Sequence, residues 1–203
     1  MSFSVKVLAS LAVVAAAASM AGLGTFATFT SSTTATHTVS SGSVTIALGA
    51  VGAANRLTVN ATNIAPGDTM QRAFQLSNSG NIDLASAPTL TTTASPSSLL
   101  DTDGTNGLQM VIDKCSVAWT EAASAPAYTY TCGGTTTSVL ASRAVIGSAI
   151  SLSNLSDLTT AGAGPDYLRL TLTLPSGAGN TFQALSSTLT YTFNGTQRSA
   201  TNK

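Results

Sequence analysis

Histidine and glutamate are almost missing from this chain: 203 residues include one histidine, His37, and among eight acidic residues only Glu121 is a glutamate. A zincin site needs two imidazoles one helical turn apart and a glutamate as general base, so HExxH chemistry has no basis here. Ser/His/Asp catalysis is no better served, since no GxSxG elbow occurs and the one histidine lies in a Ser/Thr-rich stretch. Cysteine is limited to Cys115 and Cys132, without the CxxC or Cys/His clustering of a zinc or redox centre. Charge is scarce as well: Lys+Arg and Asp+Glu number 8 each, 8% of the chain in all. No basic patch is available to hold nucleic acid, which is excluded as a partner. Asp101, Asp103 and Asn106 in DTDGTN look like half a calcium loop, but the later bidentate glutamate is absent and the stretch reads as a turn. Neither metal nor cofactor is expected, and no catalytic residue.

What the chain does have is small hydroxyl residues and an export signal. Lys6 is the only charge before an apolar stretch from Val7 to Ala21, followed by Gly22, Gly24 and two small-residue cleavage points, Ala21 and Ala27. A signal peptide is expected over residues 1–27, with a secreted product at the cell surface or beyond it. The alternative is an uncleaved anchor, since Val7 to Ala27 nearly spans a bilayer. The mature chain of about 175 residues is one domain's worth. Its surface must be largely hydroxyl and amide, and so little charge keeps copies apart only weakly.

Hydrophobic periodicity is two almost everywhere after the signal, which predicts an all-β fold. Val44, Ile46 and Leu48 alternate; so do Leu57, Val59 and Ala61, then Met70, Phe74 and Leu76 beyond the turn APGD, Ala65 to Asp68. The turn NSGN, Asn78 to Asn81, leads to Ile82–Leu84 and the Thr-rich run TLTTT. Leu108, Met110 and Ile112 share one phase and Cys115, Val117 and Trp119 the other, which predicts a bulge near Asp113 or Lys114. Leu168, Leu170, Leu172 and Leu174 line one face with Arg169, Thr171 and Thr173 opposite, and Leu185, Leu189, Tyr191 and Phe193 repeat the pattern. Roughly eight to ten antiparallel strands make a two-sheet β-sandwich, jelly-roll-like, preceded by the signal helix.

An even cysteine count in an exported chain favours a Cys115–Cys132 disulfide. Direct opposition of the two predicts one hairpin in which Val117 faces Tyr130 and Trp119 faces Tyr128, closed by the loop TEAASAPA. Asn60, Asn154 and Asn194 begin N-x-S/T triplets, which arise by chance in a chain this rich in Ser and Thr.

Three stretches carry a resemblance. LGTFATFTSSTTATHTVSSGSVTIAL, NATNIAPGDTMQRAFQLSNSGNIDL and AGNTFQALSSTLTYTFNGTQ resemble, in order, the signal-peptide end and first strand, the Pro-Gly-Asp turn with its aromatic strand and Asn-rich turn, and the closing strand of the TasA/camelysin family. The middle, with its cysteines, departs from that pattern. The resemblance implies a jelly-roll subunit with a SipW-type signal peptide, cut by a dedicated signal peptidase after Ala27 to leave Thr28. It also implies a structural subunit of extracellular fibres or biofilm matrix that lends its N-terminal strand to the next copy. Its partners would be itself as a homopolymer, other matrix or cell-surface proteins, and the peptidase during export.

On that reading residues 28–40 are the donor segment and residues 41–203 the sandwich. From Thr28 to Thr38 every even position is Thr or Ser, while Phe29, Ala35, His37 and Val39 are set on the other face, a pattern that suits a strand added to a neighbour's sheet. A plain linker or an edge strand of its own sandwich is the alternative, with the protein then a monomeric surface or adhesion module. Some camelysins are described as metallo-endopeptidases, and the histidine count argues against that activity here.

Overall fold

The computed structural model describes residues 41–48, 52–57, 60 and 63–200. Among these residues ten strands form three antiparallel sheets. β1 (Ile46–Leu48), β2 (Thr69–Asn78), β9 (Pro165–Thr173), β4 (Gln109–Cys115) and β7 (Thr136–Ala144) lie side by side in that order as a five-stranded sheet. β10 (Leu189–Asn194), β3 (Thr89–Ala94) and β8 (Gly147–Ser151) form a three-stranded sheet, and β5 (Trp119–Ala122) and β6 (Thr129–Cys132) pair as a hairpin. The chain alternates between the two larger sheets through β2, β3 and β4 and again through β7, β8, β9 and β10, a jelly-roll style of winding.

β9 shows why these residues make a strand at the centre. Asp166, Leu168, Leu170 and Leu172 are buried on one face, and the residues between them are half-buried on the other. Two-residue alternation sends all four side chains of the first set toward the core. There they meet Phe74, Leu76, Met110 and Ile112 from the same sheet and Leu90 and Ile150 from the facing one. Burying one such leucine is worth about 1.5–3 kcal/mol, so this row contributes much of what offsets chain entropy.

The outer face of the five-stranded sheet is covered too. Ala73, Cys115, Trp119 and Tyr130 form a second buried cluster, with Tyr128, Cys132 and Tyr167 packed against it. The phase change after Ile112 therefore has a cause other than the expected bulge in β4. β4 runs in unbroken register against β9, and the extra residues lie in β7, opposite Met110 to Asp113. Cys115 is buried because the β5–β6 hairpin covers its face.

The disulfide forms, with Cα atoms 5.7 Å apart, but the expected register does not. Trp119 pairs with Cys132 and Glu121 with Tyr130. Cys115 stays in β4, opposite Tyr167. A bend at Ser116 and Val117 separates it from β5, so the bond ties the hairpin to the large sheet and does not cross the hairpin itself. Val117 is left exposed. The shift has a polar reason: Trp119 Nε1 donates to the Tyr167 carbonyl at 3.0 Å, and the Arg169 guanidinium stacks 4.4 Å from the indole while pairing with Asp113.

Other expectations shift locally. Leu57 sits in a turn, while Val59 and Ala61 lie outside the described residues. Leu84 makes a single bridge to Gln197, and Leu185 is exposed before β10 begins. The APGD turn is present, Asp68 N donating to the Ala65 carbonyl at 2.9 Å.

A doubled Cys115→Ser, Cys132→Ser chain is expected to lose about 3 kcal/mol, the entropy of a loop of this length. Urea unfolding followed by Trp119, the one tryptophan, checks it. The fluorescence should change early, because the hairpin that buries the indole is what the bond secures.

Candidate functional site

Open strand edges are where a sandwich can receive another strand, and among the described residues the four edges of the two larger sheets differ in how well they are defended. β1 has three residues. β7 carries Arg143 and two register shifts against β4. β8 breaks register against β3 and holds Ala149 at φ 49°, in the left-handed region. β10 has none of these devices. Its six residues, LTYTFN, pair with β3 in unbroken register and include no charge, proline or glycine.

In an antiparallel pair alternate residues turn their N–H and C=O away from the partner, so β10 offers a row of backbone groups on its outer side. Among the described residues no strand takes them. Leu189, Tyr191 and Phe193 point inward and are only partly buried. Phe193 meets Phe74 of β2 with ring centroids 5.6 Å apart, joining the two sheets on this side. Burial pushes the Tyr191 hydroxyl well above the ordinary phenol range, so this row stays neutral. A neutral, half-covered strand edge can add one more strand by backbone bonding, with small side chains filling beside the aromatics.

The two N-terminal motifs meet nearby. Ser43 N donates to Asn81 Oδ1 at 2.7 Å, and Asn81 N returns a bond to the Ser43 carbonyl at 2.9 Å. Asn78 closes its own turn, accepting from Gly80 N and donating to the Ile82 carbonyl. A side chain at Gly80 would press on the Ser43 carbonyl and Val44 backbone, so the NSGN turn can dock this closely only with glycine there. Residues 43–45 are thereby fixed where the chain enters the sandwich. Ile46, the first residue of β1, lies beside Gly195 at the end of β10.

Ala21, Ala27, Thr28, Phe29, Ala35, His37 and Val39 lie outside the described residues. The remaining candidates are placed as structure. Asp101 is the third residue of a short helix, Leu99–Thr102, and its carboxylate accepts from Ser97 Oγ, Ser98 N and Ser187 Oγ at 2.6, 2.7 and 2.6 Å. Burial pushes its pKa up, but the three donors outweigh burial and the net shift is downward. Asp103 Oδ1 accepts from the backbone of Thr105 and Asn106, a turn closed on itself. Asn154 Nδ2 donates to the Ser138 carbonyl. Among the described residues no group of three or more His, Cys, Asp or Glu is placed to hold a metal ion.

Glu121 turns out to be a clamp, which its isolation in the sequence did not signal. Its carboxylate accepts two bonds from Arg56, both 3.0 Å, and one from the Tyr130 hydroxyl at 2.8 Å. The Arg56 bonds hold its pKa below the usual range; burial, with Glu121's bond behind it, pushes Tyr130 up to about 12. A depressed folded pKa means stability present above the unfolded value and lost as pH falls through the folded one. Acid titration of urea midpoints should therefore bring wild type down toward Glu121→Gln. Parallel curves would contradict the clamp.

No curated protein matches the chain. Residues 2–117, from the N-terminal apolar stretch through β4 and just beyond the first cysteine, match the family described as camelysin metallo-endopeptidase. That range holds the first two of the three motif stretches and includes the docked Ser43–NSGN contact. The chain belongs to this camelysin family, which includes TasA.

Proposed function

We propose that the protein is a secreted structural subunit of extracellular fibres or matrix, assembled by donation of residues 28–40 to the β10 edge of the next copy. The observation that carries this reading is that, among the described edges of the two larger sheets, β10 alone lacks a charge, a register break or extreme shortness. Family membership and the alternating Thr/Ser segment ahead of residue 41 support it. Donor and acceptor match chemically: neither contains Lys, Arg, Asp or Glu, so no charge is desolvated when they pair.

The test is electron microscopy and light scattering of the purified mature chain. Fibres that grow with concentration are expected. A chain that stays monomeric at high concentration overturns the reading and leaves the surface module.

The family's description favours a second reading, a metal-dependent endopeptidase. The residues present do not fit such a centre. Glu121 is committed to Arg56 and Tyr130, and Asp101 to three donors of its own. The one imidazole, His37, has no second His in the chain and no Cys outside the disulfide to join it as a ligand. Chelator-sensitive proteolysis by a homogeneous preparation would reinstate the enzyme.

A further inference from the structure

Aspartate is seldom fully buried, yet the core face of the large sheet holds Asp166 wholly buried, in contact with the partly buried Lys114. Lys114 lies on β4 opposite Leu168 of β9, which places Asp166 two residues along, diagonally across on the same face. A diagonal neighbour suits one long and one short side chain. The Asp166 side chain is wholly buried, and that of Lys114 is 14% exposed. Asp166 pairs across β2 with Leu76, and Leu168 and Leu158 beside it are also buried.

Within this apolar setting the Lys114 amine touches Asp166 Oδ1. That oxygen takes no other hydrogen bond among the described residues, while Oδ2 is held by Leu158 N at 2.8 Å. A third polar group completes the cluster: Asp157 Oδ2, half-exposed, lies 3.2 Å from Lys114 Nζ, with Ser156 Oγ at 3.3 Å.

We propose that Lys114 and Asp166 condense into an intramolecular isopeptide bond, with Asp157 passing the protons. A proton first moves within the pair, from the ammonium to the carboxylate, giving an amine and a carboxylic acid. The Nζ lone pair then attacks Asp166 Cγ; the N–C bond forms and the bond from Cγ to the hydroxyl oxygen breaks. The proton lost by nitrogen travels through the Asp157 carboxylate to the departing hydroxyl, which leaves as water. Nothing is oxidised or reduced, and no further reactant is needed.

Burial assists the first step. It is the largest influence on both groups, raising Asp166 and opposing the charge on Lys114, although the two carboxylates leave the lysine raised on balance. The product replaces an ammonium–carboxylate contact, one partner of which is wholly buried, with one neutral amide. Fixed contact between amine and carboxyl supplies the high effective concentration that condensation requires. The linkage would join neighbouring strands β4 and β9 on the core face. One residue further on, Cys115 already ties β4 to β6 on the opposite face. This inference stands apart from the fibre reading.

The test is the intact mass of the full chain as isolated, reduced and denatured, with its N-terminus sequenced. A mass short by one water is expected, together with no tryptic cleavage after Lys114 and a branched peptide carrying Asp166. Lys114→Arg should restore the full mass. A wild-type chain at its calculated mass, cleaved normally after Lys114, would overturn the proposal without relying on any variant. Freshly synthesised Asp157→Ala is expected to show a fraction at full mass, and complete linkage in it would refute the part given to Asp157.

Discussion

Subunits that begin at Ser40 are expected to remain monomeric at concentrations where the chain beginning at Thr28 forms fibres. The truncation leaves residues 41–200 and the β10 edge as they are, so the acceptor persists while the donor is gone. Backbone bonding supplies most of the affinity in strand addition, and the inward side chains set the register. A synthetic peptide of residues 28–39 should accordingly bind the truncated subunit, and the same peptide with Phe29→Ala should bind more weakly, since Phe29 is the one aromatic in the segment. The hydroxyl face is uniform, so without that anchor a slip of two residues changes little. Light scattering reads assembly, and fluorescence anisotropy reads the peptide. Fibres from the truncated chain would show that another contact drives assembly.

The strands around the β10 edge are legible in the sequence because two-residue alternation reports burial on one face, as in Leu168 to Leu174 and in Leu189, Tyr191 and Phe193. Alternation does not say which strand is the partner. The cysteine hairpin shows the limit: Trp119, Tyr130 and both cysteines do share one cluster, as their parity requires, yet the pairing is set by contacts remote in sequence, Trp119 with Tyr167 and Glu121 with Arg56. Two-sided burial also hides from pattern reading. β4 has a core on each face, so Met110 and Cys115 look out of phase while the strand itself is regular against β9. The Lys114–Asp166 contact is invisible for a related reason, since a diagonal pair depends on a register that no local motif encodes. β7 and β8, short in apolar residues and broken by register shifts, carry too weak an alternation to announce themselves.

Phe74→Ala is expected to cost about 3–5 kcal/mol of stability, the range for removing a large buried aromatic from a core that cannot collapse around the space. Phe74 is 1% exposed at the middle of β2, the strand that lies between β9 and the edge strand β1. Its ring also contacts Phe193, and an aromatic pair adds roughly 0.5–1.5 kcal/mol beyond the area it buries. Losing it should therefore act twice, by opening a cavity under β9 and by freeing the end of β10 from the facing sheet. Urea unfolding measures the first effect. The second is read by hydrogen exchange, where the amides of Leu189–Asn194 should lose protection before those of Pro165–Thr173. An acceptor edge held less rigidly must be ordered before it can pair, so assembly of the variant should slow even where the subunit remains folded. Phe193→Leu separates the two effects, since it removes the ring pairing while keeping an apolar side chain beneath β10. If that variant assembles as fast as wild type, the inter-sheet contact supports the fold alone and the edge needs no bracing from β2.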